Sequence, residues 1–382
     1  MRKLMLKIEE DMKKRGIKKK DVATNLGVTP SAVTQYFKVE VPIDFIKFTK
    51  LLYLVYGFYP ENLLFEYLNS VELKKEMLEW LAMHGKWNLL QQVIDKEKEN
   101  HGREKRFVRI YELLLRRSKK QITPLDFLTE VEKIKFHYTG KEEIESKILI
   151  NIWSLYSYID LHVYSLIPAI AELTLQQVQY VDNSYLREAY EIRIKEIMVF
   201  SYMKRNQLKE AESMAEDILR EENINKFPLQ YNSALCMMSE MYVFRDFSKS
   251  LYYIQKALSM LDNEMFKGFI KRAEGLKATH DFIRIVNKDF RSLYLNDPAE
   301  KAHYLAAQNN SDCKKEALEI LNRLEKENNG LSNFQLYYKA LAREDIALME
   351  LARDSFLKSG DLFYAELPKR YMKKRLITTN FK

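Results

Sequence analysis

Residues 18–37, KKKDVATNLGVTPSAVTQYF, have the pattern of two short helices joined by a glycine turn. In a helix-turn-helix the two helices cross steeply, which requires a small residue, a turn glycine and apolar residues that hold the pair together. Ala23 is the small residue, and Gly27 follows four residues later, where the backbone needs a positive φ. The apolar positions are Val22, Leu26, Val28, Val33 and Tyr36. The pattern predicts a DNA-binding helix-turn-helix; the alternative is a helical hairpin that binds no DNA.

The second helix of this pair, over residues 30–37, is the predicted recognition helix. Thr29 stands at its N-cap position and Pro30 at its first helical position. The side chains expected to reach base edges are Ser31, Thr34 and Gln35, and a glutamine can pair with adenine. The residues expected to contact phosphates are Lys18, Lys19, Lys20, Thr29 and Lys38. The predicted partner is a double-stranded DNA operator with two half-sites, bound by a homodimer.

Residues 1–66 are predicted to form one helix-turn-helix domain. Its predicted helices cover residues 5–14, 19–25, 30–37 and 43–57, and a fifth helix, over residues 60–68, leads into the next region. The first 50 residues hold 12 Lys or Arg against 6 Asp or Glu, a net charge of +6 out of +8 for the whole chain. Positive charge concentrated on a small helical unit favours a nucleic-acid partner, although a solvated amphipathic face is the commoner cause of such a pattern.

Residues 67–382 are predicted to form a string of helix pairs, because segments of one plan recur about every 35 to 45 residues. Each copy has an aromatic helix, a polar turn and a second helix that carries a small alanine. Four copies cover residues 200–219, 239–261, 303–324 and 337–361, with a weaker copy at 81–95. Ala211, Ala257, Ala317 and Ala352 are expected to let paired helices approach closely. The predicted fold is all-α: a helix-turn-helix bundle followed by a TPR-like right-handed helical solenoid, with a generic helical solenoid as the alternative.

The composition agrees with a helical, cytoplasmic chain. Glycine (10) and proline (8) are scarce, and the two cysteines, Cys236 and Cys313, form no C-x-x-C pair. The apolar stretch 148–173 contains Asp160, His162 and Pro168, so two packed helices explain it better than a membrane span. The sequence has no nucleotide-binding, hydrolase or metalloprotease motif, and its histidines lack metal-ligand spacing. We therefore expect no enzyme activity, no metal, no cofactor and no membrane partner.

Several segments, in order and spacing, resemble the arbitrium receptors (AimR), peptide-sensing regulators of Bacillus phages. The segments are NSYLREAYEIRI (183–194), EKAHYLAAQNNSDCKKEALEILNRLE (300–325), LYYKALARED (336–345) and SFLKSGDLFYAELP (355–368). The resemblance implies a homodimeric transcription factor in the host cytosol, which activates a lysis-promoting locus. It also implies that a short secreted peptide of about six residues, with a basic residue, binds the repeat domain and tips the decision to lysogeny.

The resemblance also implies positions for the peptide site. Glu300 and Asp361 fall where family members clasp the peptide's arginine. The other assigned positions are Asn206, Lys226, Glu240, Tyr304 and Phe363, with Glu240 near an expected asparagine. Without the resemblance, Glu300 would be an ordinary residue of a solvent-facing helix start, and Asp361 an ordinary turn residue after Gly360.

The sequence is also compatible with a function of a different class. A helical-repeat protein can act as an interaction module that sequesters a regulatory protein partner. In that case the N-terminal bundle would bind protein, and substitution of Gln35 and Lys20 would leave the function intact.

Overall fold

The computed structural model describes residues 1–100, 105–137 and 144–379. Within these ranges the chain is built of α-helices and short 3-10 helices, with no β-strand. The α-helices are α1 Arg2–Lys14, α2 Lys19–Leu26, α3 Pro30–Lys38, α4 Phe45–Tyr56, α5 Glu61–Ser70, α6 Lys75–Met83, α7 Trp87–Asn100, α8 Lys105–Ser118, α9 Pro124–His137, α10 Ile144–Asp160, α11 Ile167–Val178, α12 Ser184–Lys204, α13 Leu208–Ile218, α14 Asn223–Lys226, α15 Pro228–Tyr242, α16 Phe247–Ser259, α17 Ile270–Val286, α18 Pro298–Ala307, α19 Ser311–Glu327, α20 Asn333–Arg343, α21 Ile346–Lys358 and α22 Glu366–Thr379. The 3-10 helices are Tyr164–Leu166, Met260–Asp262 and Glu264–Phe266.

The chain divides into two compact units. The first comprises Met1–Ser154 and Thr174–Glu191, and the second Leu155–Leu173 and Ile192–Lys382. The N-terminal helix bundle lies within the first unit, and the four stronger repeat copies lie within the second.

Helices α1 to α4 form the N-terminal bundle. Helix α3 packs against both α1 and α2, and α4 packs against the same two helices. The apolar spacing of α1 buries one side of it, which consists of Leu4, Met5, Ile8 and Met12. The Tyr56 hydroxyl donates to Asp11 Oδ2 at 2.8 Å and ties α4 to α1. Four amphipathic helices therefore share one small core.

Each segment predicted as a repeat is a pair of helices in the structure. The pairs are α6 with α7, α12 with α13, α15 with α16, α18 with α19, and α20 with α21. The four alanines of the pattern, Ala211, Ala257, Ala317 and Ala352, are fully buried, which confirms their packing role. Because the described elements are all helices and four of these pairs pack helix against helix, α6 with α7, α15 with α16, α18 with α19 and α20 with α21, the predicted all-α helical solenoid is confirmed.

Polar side chains fix where the helices of the second unit begin. At α16, α18, α19, α20 and α21 the N-cap side chain accepts a hydrogen bond from the first turn of its own helix. These caps are Asp246, Asp297, Asn310, Ser332 and Asp345. Each satisfies a backbone N–H that would otherwise lack a partner, so the helix starts are set by local sequence.

The apolar stretch 148–173 forms two helices, as predicted. Helix α10 ends at Asp160, and α11 begins at Ile167 after the short 3-10 helix. Across the described ranges, no helix is both long and apolar enough to cross a membrane.

Candidate functional site

The turn of the N-terminal helix pair has the geometry that the sequence predicts. Gly27 ends α2 with φ of 64°, in the left-handed region. The N–H groups of Gly27 and Val28 donate to Thr24 O and Ala23 O, which closes the last turn of α2. Two residues later Thr29 begins α3, and its Oγ1 accepts from the Ala32 N–H at 3.2 Å. The glycine and the cap together fix the direction in which α3 leaves the turn.

The packing of the pair differs from the prediction at two of the five apolar positions. Val22, Leu26 and Val33 are buried, but Val28 and Tyr36 are only half-buried. Phe37 lies in the core instead, with 3% of its surface exposed. The reason is the helical period: Val33 and Phe37 lie four residues apart on one side of α3, and Tyr36 lies at the edge of that side.

The outer side of α3 carries the predicted base-reading side chains. Ser31 and Gln35 are exposed and lie four residues apart, one turn of helix along the same side. Lys18 and Lys20 at the start of α2 and Lys38 at the end of α3 are exposed as well. The helix pair therefore exposes two uncharged hydrogen-bonding groups of α3 together with three ammonium groups from the ends of α2 and α3.

Three further predicted contacts make interactions within the bundle. Lys19 Nζ lies 3.0 Å from Glu9 Oε1 and 5.7 Å from the Phe37 ring centroid. The half-buried Thr34 donates its hydroxyl to Pro30 O at 3.1 Å, within the same helix. Thr29 serves as the cap of α3. These groups are engaged by the fold itself, whereas Ser31 and Gln35 are exposed on the outer side of α3.

The second unit brings several of the predicted peptide-site residues together around one lysine. Lys204, the last residue of α12, places Nζ 2.6 Å from Asp361 Oδ2. Its backbone carbonyl accepts from the N–H groups of Leu362 and Phe363, at 2.8 and 3.2 Å. Asp361 Oδ1 accepts from the Tyr364 N–H at 3.1 Å. Asp361 is therefore a buried, charge-paired residue, and its interpretation as an ordinary turn residue is wrong.

Glu240 lies on α15 and faces the same group of side chains. Tyr364 donates its hydroxyl to Glu240 Oε2 at 2.7 Å, and Cys236 Sγ lies 3.7 Å from Oε1. Burial raises the pKa of the Glu240 carboxyl, and the Lys204 ammonium and the Tyr364 hydroxyl oppose that rise. Burial, together with the charge of Glu240, raises the pKa of Tyr364 well above its usual value, so this phenol remains a donor.

Glu300 lies in the first turn of α18, with 9% of its surface exposed. Tyr338 donates its hydroxyl to Oε1 at 2.6 Å, and His303 Nδ1 lies 3.1 Å from Oε2. Asp297, not Glu300, supplies the cap of the helix. A role limited to a solvent-facing helix start is thus wrong, because the Glu300 carboxylate is buried and has two side-chain partners.

A run of aromatic rings connects Glu300 with the lysine-centred group. The His303 ring stacks on Tyr338 at 4.1 Å and lies 5.8 Å from Phe282. Phe282 in turn lies 5.7 Å from Tyr364, which contacts Phe363 at 4.8 Å. The predicted residues Glu240, Glu300, Asp361 and Phe363 therefore belong to one connected cluster of polar and aromatic side chains.

The remaining predicted peptide-site residues are Asn206, Lys226 and Tyr304. Asn206 is exposed in the turn between α12 and α13, with φ of 60°, a conformation that asparagine tolerates well. Lys226 ends the short helix α14, with Nζ 5.7 Å from the Phe227 ring centroid. Tyr304, on α18, makes an edge contact with Phe290 at 5.5 Å.

A cleft of about 690 Å³ opens next to this cluster. Its walls include His303, Phe244, Tyr337 and Arg370. Arg370 donates to Phe244 O at 3.2 Å and lies 4.6 Å above the Phe244 ring, so it holds one wall in place. A volume of this size matches that of ordinary ligand sites, about 300–1,000 Å³.

Sequence reasoning did not identify Lys204, Tyr338 or Tyr364 as part of the site. Lys204 lies one helical turn after Phe200, and its Nζ lies 5.3 Å from the Phe200 ring. This spacing places the lysine on the same side of α12 as Phe200, but no sequence pattern links it to Asp361, 157 residues later. In the described part of the chain, no group of three or more His, Cys, Asp or Glu side chains is arranged to hold a metal ion.

Known proteins share the sequence pattern and the architecture of this chain. A family model described as "AimR transcriptional regulator-like" matches residues 61–374. The AimR transcriptional regulator of Bacillus phage SPbeta is 23% identical over 336 residues, which cover 85% of this chain and 84% of that protein. An uncharacterized protein of Bacillus anthracis, pXO2-35, is 30% identical over 250 residues, covering 65% of this chain and 90% of that protein.

Two solved structures share the fold. The structure of phAimR-Ligand matches with a TM-score of 0.73 at 18% identity, covering 87% of this chain and 98% of that chain. SeMet-phAimR matches with a TM-score of 0.72 at 18% identity, covering 97% of both chains. Because the family model spans most of the sequence and the fold agrees with that of phAimR over nearly the whole chain, this chain belongs to the family of AimR-like transcriptional regulators.

Proposed function

We propose that this protein is a peptide-controlled, DNA-binding transcriptional regulator of the phage lysis–lysogeny decision. It activates a lysis-promoting locus until a short arbitrium peptide binds its repeat domain. The observation that supports the proposal is the helix pair α2 and α3, which exposes Ser31 and Gln35 on the outer side of α3 and three lysines at the helix ends. Such a side fits the major groove, since uncharged groups read base edges and ammonium groups contact phosphates.

In this proposal the two parts of the chain have different functions. Residues 1–66 bind a double-stranded operator, and residues 67–382 bind the peptide and hold two copies together as a homodimer. Two copies read two half-sites, and bound peptide changes the distance between them. The protein acts in the cytosol of the host bacterium, with no cofactor.

The peptide site in this proposal is the cluster in the second unit. Its buried carboxylates suit a basic side chain, and its rings and the adjoining cleft suit apolar ones. The structure of phAimR-Ligand, which shares the fold, supports a ligand-binding role for this chain.

The DNA-binding part is tested by gel shift on the phage DNA around the gene. The wild type should select one site, with affinity that falls steeply as salt rises. Gln35→Ala should cost about 1–3 kcal/mol at the affected base pair and relax the sequence preference there. Lys20→Ala should weaken binding to all sequences and reduce the salt slope by about one. Lys271→Ala, an exposed lysine in α17, is the matched control and should change neither.

The peptide part is tested with a synthetic six-residue peptide, taken from the end of any small secreted precursor encoded directly downstream. Added to the gel shift, it should alter binding at the selected site, whereas a scrambled peptide should not. Failure to select any DNA site refutes the regulator. The alternative is an interaction module. In that case the chain selects no DNA but captures a host regulatory protein, and Gln35→Ala and Lys20→Ala leave that capture unchanged.

A further inference from the structure

Helix α8, Lys105–Ser118, begins a second concentration of positive charge in the chain. Residues 105–120 contain 7 Lys or Arg against 1 Asp or Glu, a net charge of +6, which equals that of the first 50 residues. Because the whole chain carries +8, the remaining 316 residues have a net charge of −4. The excess positive charge is therefore confined to two short segments, and only the first of them contains the helix-turn-helix.

The charges of α8 lie along its solvent side. Its exposed basic side chains are Lys105, Arg109 and Arg116, and Lys119 and Lys120 are exposed directly after its end. Lys105, Arg109 and Arg116 lie four and seven residues apart, on one side of the helix. The other side is apolar and buried, and the helix packs against α6 and α7. We call Lys105, Arg109, Arg116 and Lys120 the α8 stripe.

Two acidic residues lie near the α8 stripe, and each has a lysine partner of its own. Glu112, on α8 itself, pairs with Lys98 Nζ of α7 at 2.5 Å. Glu130 of α9 pairs with Lys133 Nζ at 2.8 Å. The hydrogen bond from Lys133 lowers the pKa of the Glu130 carboxyl, and the two arginines of the stripe lower it further. Because a separate lysine balances each acid, the stripe keeps a net positive charge.

The physics of an isolated helix explains only one end of the α8 stripe. The helix dipole favours cations in the last turn, where Arg116 lies. The first turn favours acidic residues, yet it begins with Lys105 and contains no acidic residue. Like charges one turn apart, such as those of Lys105 and Arg109, also destabilise a helix. An anionic partner along this side would offset both costs.

Buried contacts within the first compact unit join α8 to the N-terminal bundle. Tyr111 of α8 donates its hydroxyl to Glu79 of α6. The next residue of α6, Trp80, contacts the Phe45 ring of α4 edge-on at 5.5 Å. Helix α4 in turn packs against α2. The α8 stripe and the exposed side of α3 therefore belong to one packed unit.

We propose that the α8 stripe is a second DNA-binding surface, which contacts the phosphate backbone beside the half-site that α3 reads. The inference rests on the proposed function and extends its DNA contacts beyond residues 1–66. At about 1.5 Å per residue the stripe spans about 22 Å, the axial length of about six phosphates of one strand. A lipid surface is the weaker alternative, because it binds amphipathic helices through their apolar side, which α8 buries in the protein.

The experiment measures how salt affects the binding of the full chain to two duplexes that contain the selected site. The short duplex ends at the half-sites, and the long duplex extends about two helical turns beyond each of them. The stripe variant carries Arg109→Gln, Arg116→Gln and Lys120→Gln. The matched control carries three changes at exposed residues of the second unit, so that both variants lose the same charge: Arg323→Gln, Arg343→Gln and Lys271→Gln.

On the long duplex the stripe variant should bind more weakly than the wild type. Its plot of log affinity against log salt concentration should be shallower by about 2–3 per protein copy, since each lost phosphate contact removes about 0.9. Its base preference should stay unchanged, because α3 is intact. The short duplex should bind both proteins alike, and the control should match the wild type on both duplexes. Arg109→Lys with Arg116→Lys should keep the wild-type slope, because a phosphate contact requires the charge.

Equal salt slopes of the stripe variant and the control on the long duplex would overturn the inference, as would an equal loss on both duplexes. Unchanged DNA binding with loss of binding to phosphatidylglycerol vesicles would assign the stripe to a lipid surface instead.

Ethylation of DNA phosphates tests the wild type alone and decides the question if the stripe variant does not fold. Ethyl groups on phosphates beside the half-sites should block binding, and interference confined to the half-sites would refute the second surface. A wild type that selects no site refutes the regulator itself. A selected site whose binding ignores both the stripe and the flanking phosphates refutes this inference alone.

Discussion

The ion pair between Lys204 and Asp361 makes a specific prediction about stability. Asp361→Asn keeps the oxygen that accepts from the Tyr364 N–H at 3.1 Å and removes only the negative charge. The variant therefore isolates the pairing with Lys204 from the other contacts of the residue. It leaves a buried ammonium beside two aromatic rings and an uncharged amide.

The size of the effect follows from burial. With side chains 11% and 9% exposed, the pair resembles buried ion pairs, whose disruption by loss of one partner costs about 3–5 kcal/mol. For a unit of this size, about 2–4 °C of melting temperature corresponds to each kcal/mol, so we expect a drop of about 6–20 °C. Loss of so much of a typical folding free energy of about 5–15 kcal/mol would be plain in any unfolding curve.

The chain itself supplies the assay. Its three tryptophans, Trp80, Trp87 and Trp153, all lie in the first compact unit, so tryptophan fluorescence follows that unit. Circular dichroism in the far ultraviolet follows the helices of both units. Asp361→Asn should lower the transition seen by circular dichroism more than the one seen by fluorescence.

The matched control is Asp312→Asn in α19. Its partner Lys315 lies at 3.6 Å, but the two side chains are 86% and 75% exposed, so the change should stay below about 1 kcal/mol. Lys204→Met with Asp361→Asn should recover part of the loss, because no charge is left without its partner. Equal effects of Asp361→Asn and Asp312→Asn, or losses that simply add in the double variant, would refute the reasoning.

Three other changes test the local physics. Gly27→Ala should destabilise the first unit by about 1–2 kcal/mol in urea unfolding through its left-handed backbone alone, since a Cβ there meets no atom within 4 Å. Gly275→Ala, inside α17 and equally unobstructed, should instead stabilise by about 0.4–1 kcal/mol, and the same sign for both would contradict this argument. Burial lowers the pKa of His84 from 6.5 to about 3, so stability followed by tryptophan fluorescence should fall as pH drops from 6.5 towards 3. His84→Gln should flatten that fall, and an unchanged pH dependence would exclude His84 as its cause. Tyr338→Phe removes the donor to Glu300 and should cost about 1.5–3 kcal/mol in urea unfolding; a smaller loss would mean that the Glu300 carboxylate is satisfied without it.

The sequence determined those features that depend on residues a few positions apart. The turn at Gly27, the cap at Thr29 and the buried Ala23 were predictable, since each satisfies a need of the backbone or of a helix crossing nearby. The helix pairs and their alanines were predictable for the same reason, because a period of 3.6 residues shows which side of a helix is buried. The sequence predicted that Tyr36 packs in the core, whereas the structure buries Phe37 there. An error of one position is expected where two adjacent residues are both aromatic, because either could fill the same place in the core.

Only the tertiary structure decided which charges neutralise one another. Glu240, Glu300 and Asp361 are all acidic residues with no distinguishing pattern in the sequence. In the structure Glu240 accepts from a tyrosine and faces a thiol, Glu300 contacts a tyrosine and a histidine, and Asp361 pairs with Lys204. Lys204 and Asp361 are 157 residues apart, and no periodicity extends over such a separation. The physical reason is that the pairing of a buried charge depends on which groups the packed helices bring within about 3–4 Å, and the local sequence specifies the helices but not those neighbours.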